Sequence, residues 1–167
     1  VVDGIKPIDV KTGKTPTFHV DGLALDASNS TRYFHSLTGH TLYSVNTTDL
    51  LNEGLSNQDL EAKVRKIGTT PKPDGMLEAP GGKILLTAIE ENGIVELDPA
   101  NGKSTTVIKD KLLQWPDTLS WGPDGELYVT TSQIHRMPNN NGGVSKREGP
   151  FWCLPRECGQ VEPGLGQ

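Results

Sequence analysis

The chain has 167 residues, enough for one domain with a hydrophobic core and too few for two domains of ordinary size. Its 19 glycines and 12 prolines exceed average usage and indicate many tight turns. The formal net charge of −5 offers no basic footprint for nucleic acid or an anionic membrane surface, and no apolar run is long enough to span a bilayer. We therefore expect neither nucleic acid nor a membrane as a partner.

The N-terminal part of the chain predicts β-structure interrupted by one helical insertion. Strands are expected around residues 4–10, before a Thr12-Gly13 turn. The segment DGLALDASNSTRYFHS, from Asp21, predicts a hairpin whose second strand covers residues 32–35. Residues 48–64 are the only helical candidate, with Thr48 as a plausible N-cap, and they separate strands on either side.

Two further segments repeat the hairpin pattern. DGMLEAPGGKILLTAI begins at Asp74 and DTLSWGPDGELYVTTS at Asp117, with second strands predicted at residues 83–87 and 126–130. An outer repeat relates DGIKPIDVKTGK to NGIVELDPANGK, whose Asn101-Gly102 pair predicts the next hairpin turn. The Asp-to-Asp spacings are 53 and 43 residues. Four strands in a unit of this size are typical of a β-propeller blade.

The sequence thus predicts an all-β fold, a β-propeller fragment of about three four-stranded blades over residues 1–150. It would hold the outer half of one blade, two blades and the start of another. Because a closed propeller needs at least four blades, we expect the remaining half of the propeller, from a longer protein or a second copy of the chain, to close the fold.

Residues 151–167 show no periodicity and are predicted to be a tail, a divergent strand or a disordered segment. Cys153 and Cys158 in this tail leave three alternatives open: a disulfide, two free thiols and a chance pair. Two glycosylation-type sequons do not settle the compartment, and a secreted or periplasmic protein is the working hypothesis.

Three aspartates are candidates for chemistry. Asp21, Asp74 and Asp117 each stand at the entry to an innermost strand, so a propeller would direct all three toward the channel mouth. Carboxylates there could ligate a hard cation such as calcium. Without a cation they would raise one another's pKa, so that one of them could act as a general base. The alternative is that each aspartate caps local backbone N–H groups.

Polar residues near the ends of second strands are candidates for ligand contact. They are His35, Thr87, Ser132 and His135. A structural histidine with satisfied hydrogen bonds is the alternative for His35 and for His135. Trp115 and Trp121 are either an aromatic wall for a ligand or part of the core. The sequence lacks the G-x-S-x-G elbow of serine hydrolases.

The strings RYFHSLTGHTLYSV and WPDTLSWGPDGELYVTTSQIHRMP resemble the C-terminal half of the major royal jelly protein/yellow family, whose bacterial and fungal members are often described as gluconolactonase-like. The resemblance covers residues 1–150. It implies a six-bladed propeller of roughly twice this length, with a small-molecule ligand pocket at one mouth of the central channel.

The resemblance also implies a cofactor in some relatives. Gluconolactonase-type propellers hold a divalent cation through a Glu from an early blade and an Asn and an Asp that open later blades. Asp21 stands at the position of that Asn and Asp74 at that of the Asp, while the Glu position would lie upstream of residue 1. Calcium or zinc bound by Asp21 and Asp74 is one expectation. Yellow-type members often lack the metal and bind small ligands, so no cofactor is the other.

Three functions follow from this resemblance. One is a lactonase-like hydrolase in which Asp74 and Asp21 are catalytic, and in which His35, Thr87, Asp117, Ser132 and His135 contact the ligand. The second is a propeller that binds a small ligand without performing chemistry, and the third is an interaction scaffold. Analogy of fold does not choose among them.

Overall fold

The computed structural model describes residues 1–123, 125–149, 151 and 153–157. Its strands form three antiparallel sheets in which chain neighbours pair. The first sheet contains β1 (Val20–Leu25), β2 (Thr31–Ser36), β3 (Thr41–Asn46) and β4 (Arg65–Thr69). The second contains β5 (Met76–Ala79), β6 (Lys83–Ala88), β7 (Gly93–Asp98) and β8 (Lys103–Lys109). The third contains β9 (Pro116–Trp121), β10 (Glu126–Thr131) and β11 (Cys153–Glu157).

The predicted second strands of the three hairpins are confirmed as β2, β6 and β10. Local turn chemistry explains why they form where they do. The Asp26 carboxylate accepts hydrogen bonds from the backbone N–H groups of Ser30 and Thr31 and closes the turn between β1 and β2. Between β5 and β6, Gly81 and Gly82 adopt φ values of +81° and +75°, which glycine tolerates without strain.

The sheets pack face to face, and the apolar pattern of each strand reflects how many faces are covered. In β6 and β7 nearly every residue is buried, because the second sheet lies between the other two. In β2 burial alternates, because one face alone is covered. Two apolar clusters fill the two interfaces. The cluster between the first and second sheets includes Tyr33, Leu42, Ile84 and Leu86, and that between the second and third includes Leu85, Ile94, Leu119 and Leu127.

The helical insertion differs from its prediction. Two short helices, α1 (Thr47–Leu50) and α2 (Asn57–Glu61), replace the single helix expected over residues 48–64. The Asn52 side chain accepts a hydrogen bond from the Gly54 N–H and turns the chain between them. Ser56, not Thr48, acts as an N-cap by accepting from the Asp59 N–H at 3.2 Å. The insertion lies between β3 and β4, as predicted.

The strands predicted around residues 4–10 are absent from the structure. That segment makes only the isolated bridges Val2–Ile5 and Ile8–Asn141. The Asp9 carboxylate accepts from the N–H groups of residues 11 and 12, which produces a turn, and Pro7 has no N–H to contribute to a ladder. The predicted turn at Thr12-Gly13 is present without flanking strands.

The C-terminal segment contributes β11, which pairs with β10 as the third strand of its sheet. Cys153 is exposed, and Cys158 lies outside the described residues, so the alternatives for this pair remain predictions. Among the residues with described positions, no helix has the length and apolar character that crossing a bilayer requires.

Candidate functional site

The three repeated aspartates lie around one cavity of about 270 Å³, just below the range of about 300 to 1,000 Å³ for small-molecule pockets. Asp21 and Asp117 lie at the starts of β1 and β9, and Asp74 lies just before β5. Asp21 is exposed, whereas Asp74 and Asp117 are half-buried. The cavity is lined by Asp21, Gly22, Leu23, Asp74, Gly75, Met76, Asp117, Thr118 and Leu119.

Glycines that follow the aspartates allow the sheets to approach so closely. A Cβ atom added to Gly75 would lie 2.0 Å from the carbonyl oxygen of Asp117 in the next sheet. A Cβ atom added to Gly22 would lie 2.8 Å from the sulfur of Met76 and 3.3 Å from the carbonyl oxygen of Asp74. Gly22 and Gly75 therefore allow the backbones of Asp74 and Asp117 to lie against the preceding sheet.

Thr87 holds the backbone of Asp74 in place. Its buried hydroxyl accepts hydrogen bonds from the N–H groups of Asp74 at 2.8 Å and Gly75 at 3.1 Å. Thr130 occupies the equivalent position in the third repeat and accepts from the Thr118 N–H at 3.1 Å. Thr87 does not line the cavity, so its observed role is to hold the backbone of Asp74 from outside the cavity.

His35 occupies the same repeat position in the first sheet and is fully buried. Its Nδ1–H donates to the Ser36 carbonyl at 2.7 Å, since a carbonyl can only accept. Its Nε2 therefore accepts from the Thr70 hydroxyl at 2.6 Å. Burial lowers the pKa of His35 and favours the neutral ring. The structure thus places His35 in a satisfied hydrogen-bond network away from the cavity wall.

The environment of Asp74 shifts the pKa of its carboxyl group. Burial raises its pKa to about 6. The indole Nε1–H of Trp115 donates to Asp74 Oδ2 at 2.5 Å and acts to lower this pKa, whereas the carboxylates of Asp117 and Asp21 act to raise it. Asp74 can therefore change protonation state near neutral pH, which is what a general base requires.

Ser132 and His135 each contact Trp115, and the side-chain oxygen of Ser132 is buried. The ring of His135 is fully buried and stacks on that of Trp115, with centroids 5.7 Å apart. Its Nε2 lies 3.2 Å from Asp3 Oδ2. Burial lowers the pKa of His135, and the Asp3 carboxylate acts to raise it. Neither Ser132 nor His135 lines the cavity of the aspartates.

The residues around the cavity do not form a complete metal site by themselves. Within the described part of the chain, no group of three or more His, Cys, Asp or Glu side chains could hold a metal ion. One oxygen of Asp74 already accepts a hydrogen bond from Trp115. Calcium takes six to eight oxygen ligands, and zinc takes four ligands in structural sites or three in catalytic ones. Asp21 and Asp74 are thus too few for either ion.

Sequence reasoning did not find the contact between Trp115 and Asp74. It assigned Trp115 either to an aromatic wall or to the core, and the residue is in fact 5% exposed and packed in an apolar cluster. A donor that reaches a carboxylate 41 residues away leaves no periodic signal. The one local signal is the order Trp-Pro-Asp, in which the tryptophan precedes a repeated aspartate.

Solved structures with similar folds include two enzymes and a chain of a protein complex. A gluconolactonase from Xanthomonas campestris superposes with a TM-score of 0.59 at 14% identity, covering 83% of this chain and 44% of that one. A luciferin-regenerating enzyme gives 0.54 at 15% identity, covering 73% and 40%. A chain of a nidogen/laminin complex gives 0.51 at 18% identity, covering 70% and 41%. No curated protein sequence matches the chain.

These similarities establish the fold and leave activity open. The predicted all-β propeller fragment is confirmed, and the chain spans less than half the length of these solved structures. The family model for major royal jelly proteins matches residues 7–154, which include all three repeats. With its three blade-like sheets and this match over most of its length, the chain belongs to the major royal jelly protein family.

Proposed function

We propose that the chain supplies part of a small-molecule site at the channel mouth, where Asp74 acts as the general base in hydrolysis of a lactone or a similar ester. The observation that carries the proposal is the Asp74 carboxyl, whose pKa is raised to about 6 at the wall of a cavity it shares with Asp21 and Asp117. A carboxyl with that pKa is half-ionised close to neutral pH, where proton transfer is most effective.

In the proposed reaction Asp74 is the only residue that carries a proton, and it takes up and returns one proton in each turnover. The Asp74 carboxylate takes a proton from a water molecule as the water oxygen attacks the carbonyl carbon. The carbon–oxygen bond of the lactone ring then breaks, and the departing alkoxide takes the proton back from Asp74. Asp21 and Asp117 keep the local potential negative and so favour the protonated intermediate state of Asp74. Calcium or zinc at Asp21 and Asp74 remains a proposal that needs ligands from outside the described residues.

A second candidate is a site that binds a cationic small molecule and performs no chemistry. The observation that favours it is that the charged residues lining the cavity, Asp21, Asp74 and Asp117, are all acidic. An ammonium group would be attracted to three carboxylates whether or not one of them titrates.

The proposed site also requires another propeller segment beside the first sheet. Leu23 is 47% exposed, and Phe34 stacks on Tyr43 with ring centroids 5.6 Å apart on that sheet's open face. In the repeat, Leu23 and Phe34 correspond to Met76 and Leu86, which are buried against the first sheet. We infer that a further sheet, from the rest of a longer protein or a second copy, covers this face.

The test compares variants of the complete protein in a lactone assay. Asp74→Asn is expected to lower kcat for glucono-δ-lactone by about 100-fold or more, because it removes the proton acceptor. Asp59→Asn, an exposed position in α2 far from the cavity along the chain, is the matched control and should keep wild-type kcat. An Asp74→Asn variant with wild-type kcat would overturn the role of Asp74.

Calorimetry separates the two candidates. If the protein hydrolyses no lactone but binds benzylamine and not benzyl alcohol, the hydrolase proposal is wrong and the cationic-ligand proposal stands. In that case Asp74→Asn should weaken amine binding, because it removes one of the three carboxylates.

A further inference from the structure

Trp115 connects two sheets through its indole side chain. It precedes β9 in the third sheet, whereas Asp74 precedes β5 in the second. The hydrogen bond from Trp115 Nε1–H to Asp74 Oδ2 therefore crosses the interface between two sheets. Because the Thr87 hydroxyl holds the Asp74 backbone N–H, Asp74 is fixed at both its backbone and its side chain.

The indole ring is itself held from several sides. It stacks on His135 with an interplanar angle of 9° and packs with Val2, Leu37 and Ile89. The backbone carbonyl of Trp115 accepts a hydrogen bond from the Ser132 N–H at 3.2 Å. A ring with so little freedom can hold its hydrogen-bond partner in one orientation.

The backbone of Trp115 gives an independent observation. Its φ is +57°, in the left-handed region that bulky residues rarely adopt. Such strain persists only where the surroundings fix it, and it is concentrated at functional sites. Here the unusual conformation accompanies an indole N–H that points across the interface to a carboxylate of the cavity.

We propose that Trp115 is a positioning residue that ties down Oδ2 of Asp74 and leaves Oδ1 as the oxygen available to a ligand in the cavity. Asp117 differs, because its Oδ1 accepts a hydrogen bond from the hydroxyl of its own neighbour, Thr118, at 3.1 Å. Asp74 is thus the aspartate whose orientation is set by a residue of another sheet. The contact stands on geometry alone, and only its catalytic consequence rests on the proposed function.

The contact is tested by NMR of the indole N–H groups in the complete ¹⁵N-labelled protein. Asp74→Ala removes the acceptor, so the Trp115 resonance should move upfield and its exchange with solvent should accelerate. The Trp121 resonance should stay in place, because its Nε1–H donates to the Glu78 carbonyl at 2.9 Å. Trp115→Phe assigns the signal, and if that variant does not fold, Trp121→Phe and Trp152→Phe assign it by elimination. An unchanged Trp115 resonance in Asp74→Ala would overturn the inference.

The consequence for catalysis is measured separately. Trp115→Phe keeps an aromatic ring but loses the donor, and it should lower kcat for glucono-δ-lactone by about 10- to 100-fold with little change in KM. Trp121→Phe loses an equivalent indole donor away from Asp74 and should keep wild-type kcat. Wild-type kcat in a folded Trp115→Phe would refute the positioning role. If the NMR result holds and no lactone is hydrolysed, the proposed function fails and the orientation of Asp74 by Trp115 stands.

Discussion

Gly75→Ala is expected to destabilise the protein by about 3 kcal/mol, at the upper end of the usual cost of overpacking. The added Cβ would lie 2.0 Å from the Asp117 carbonyl oxygen, whereas real Cβ atoms essentially never approach another heavy atom within 3.0 Å. The second and third sheets would have to separate by about an ångström at this point. Both atoms in conflict belong to the backbone or are fixed to it, so no side-chain rotation can relieve the contact.

The loss of unfolding free energy is measured by urea denaturation and by thermal melting. In a chain of this size, about 3 kcal/mol corresponds to a fall in melting temperature of about 6 to 12 °C. Gly149→Ala is the matched control, since an added Cβ there meets nothing within 4 Å, and it should be neutral or slightly stabilising. Gly22→Ala should fall between the two, because the sulfur it meets at 2.8 Å belongs to the flexible side chain of Met76. If Gly75→Ala and Gly149→Ala were equally stable, the close approach of the sheets at Asp117 would be wrong.

Three further outcomes are expected. Because Asp74 accepts a proton only when ionised, kcat for the proposed hydrolysis should fall as the pH drops below about 6. Asp117→Asn removes a neighbouring negative charge, so the midpoint of this pH dependence should move to lower pH. An unchanged midpoint would contradict the electrostatic effect of Asp117 on Asp74. The pKa of His35 is lower in the folded protein than the 6.5 of a free side chain, so the folded state binds fewer protons and stability should decrease as the pH falls below 6.5. Urea denaturation at several pH values should show this decrease, and the slope should flatten in His35→Gln. Thr87→Val leaves two backbone N–H groups without their acceptor and should lower the free energy of unfolding by about 1 to 3 kcal/mol. Thr130→Val removes the acceptor of one N–H group and should lower it by less. Equal losses of unfolding free energy in urea denaturation would refute this difference.

The repeated hairpins were predictable because their signals are local. A short apolar run on either side of the Gly81-Gly82 turn specifies β5 and β6 without reference to the rest of the chain. The strands expected around residues 4–10 failed because a strand needs a partner, and the segment makes only two isolated bridges. The single predicted helix failed because the Asn52 side chain captures a backbone N–H and interrupts it.

The candidate site was predictable only in part. The repeat brings Asp21, Asp74 and Asp117 to one cavity, which follows from equivalent positions in stacked sheets. The same reasoning could not tell that Thr87 would support Asp74 from behind while His35, at the equivalent position, pairs with another threonine. Those roles depend on which side chain lies opposite in three dimensions.

The third repeat departs from the first two at the position that follows the aspartate, where Thr118 replaces glycine. Gly22 and Gly75 leave empty the space into which the next sheet moves, whereas Thr118 fills its own with an exposed side chain. A sheet that stacked on β9 in the way that β9 stacks on β5 would contact the Thr118 side chain and be held further away. The sheets would then be spread unevenly around the channel axis, and the entrance would be wider beside Asp117 than beside Asp74.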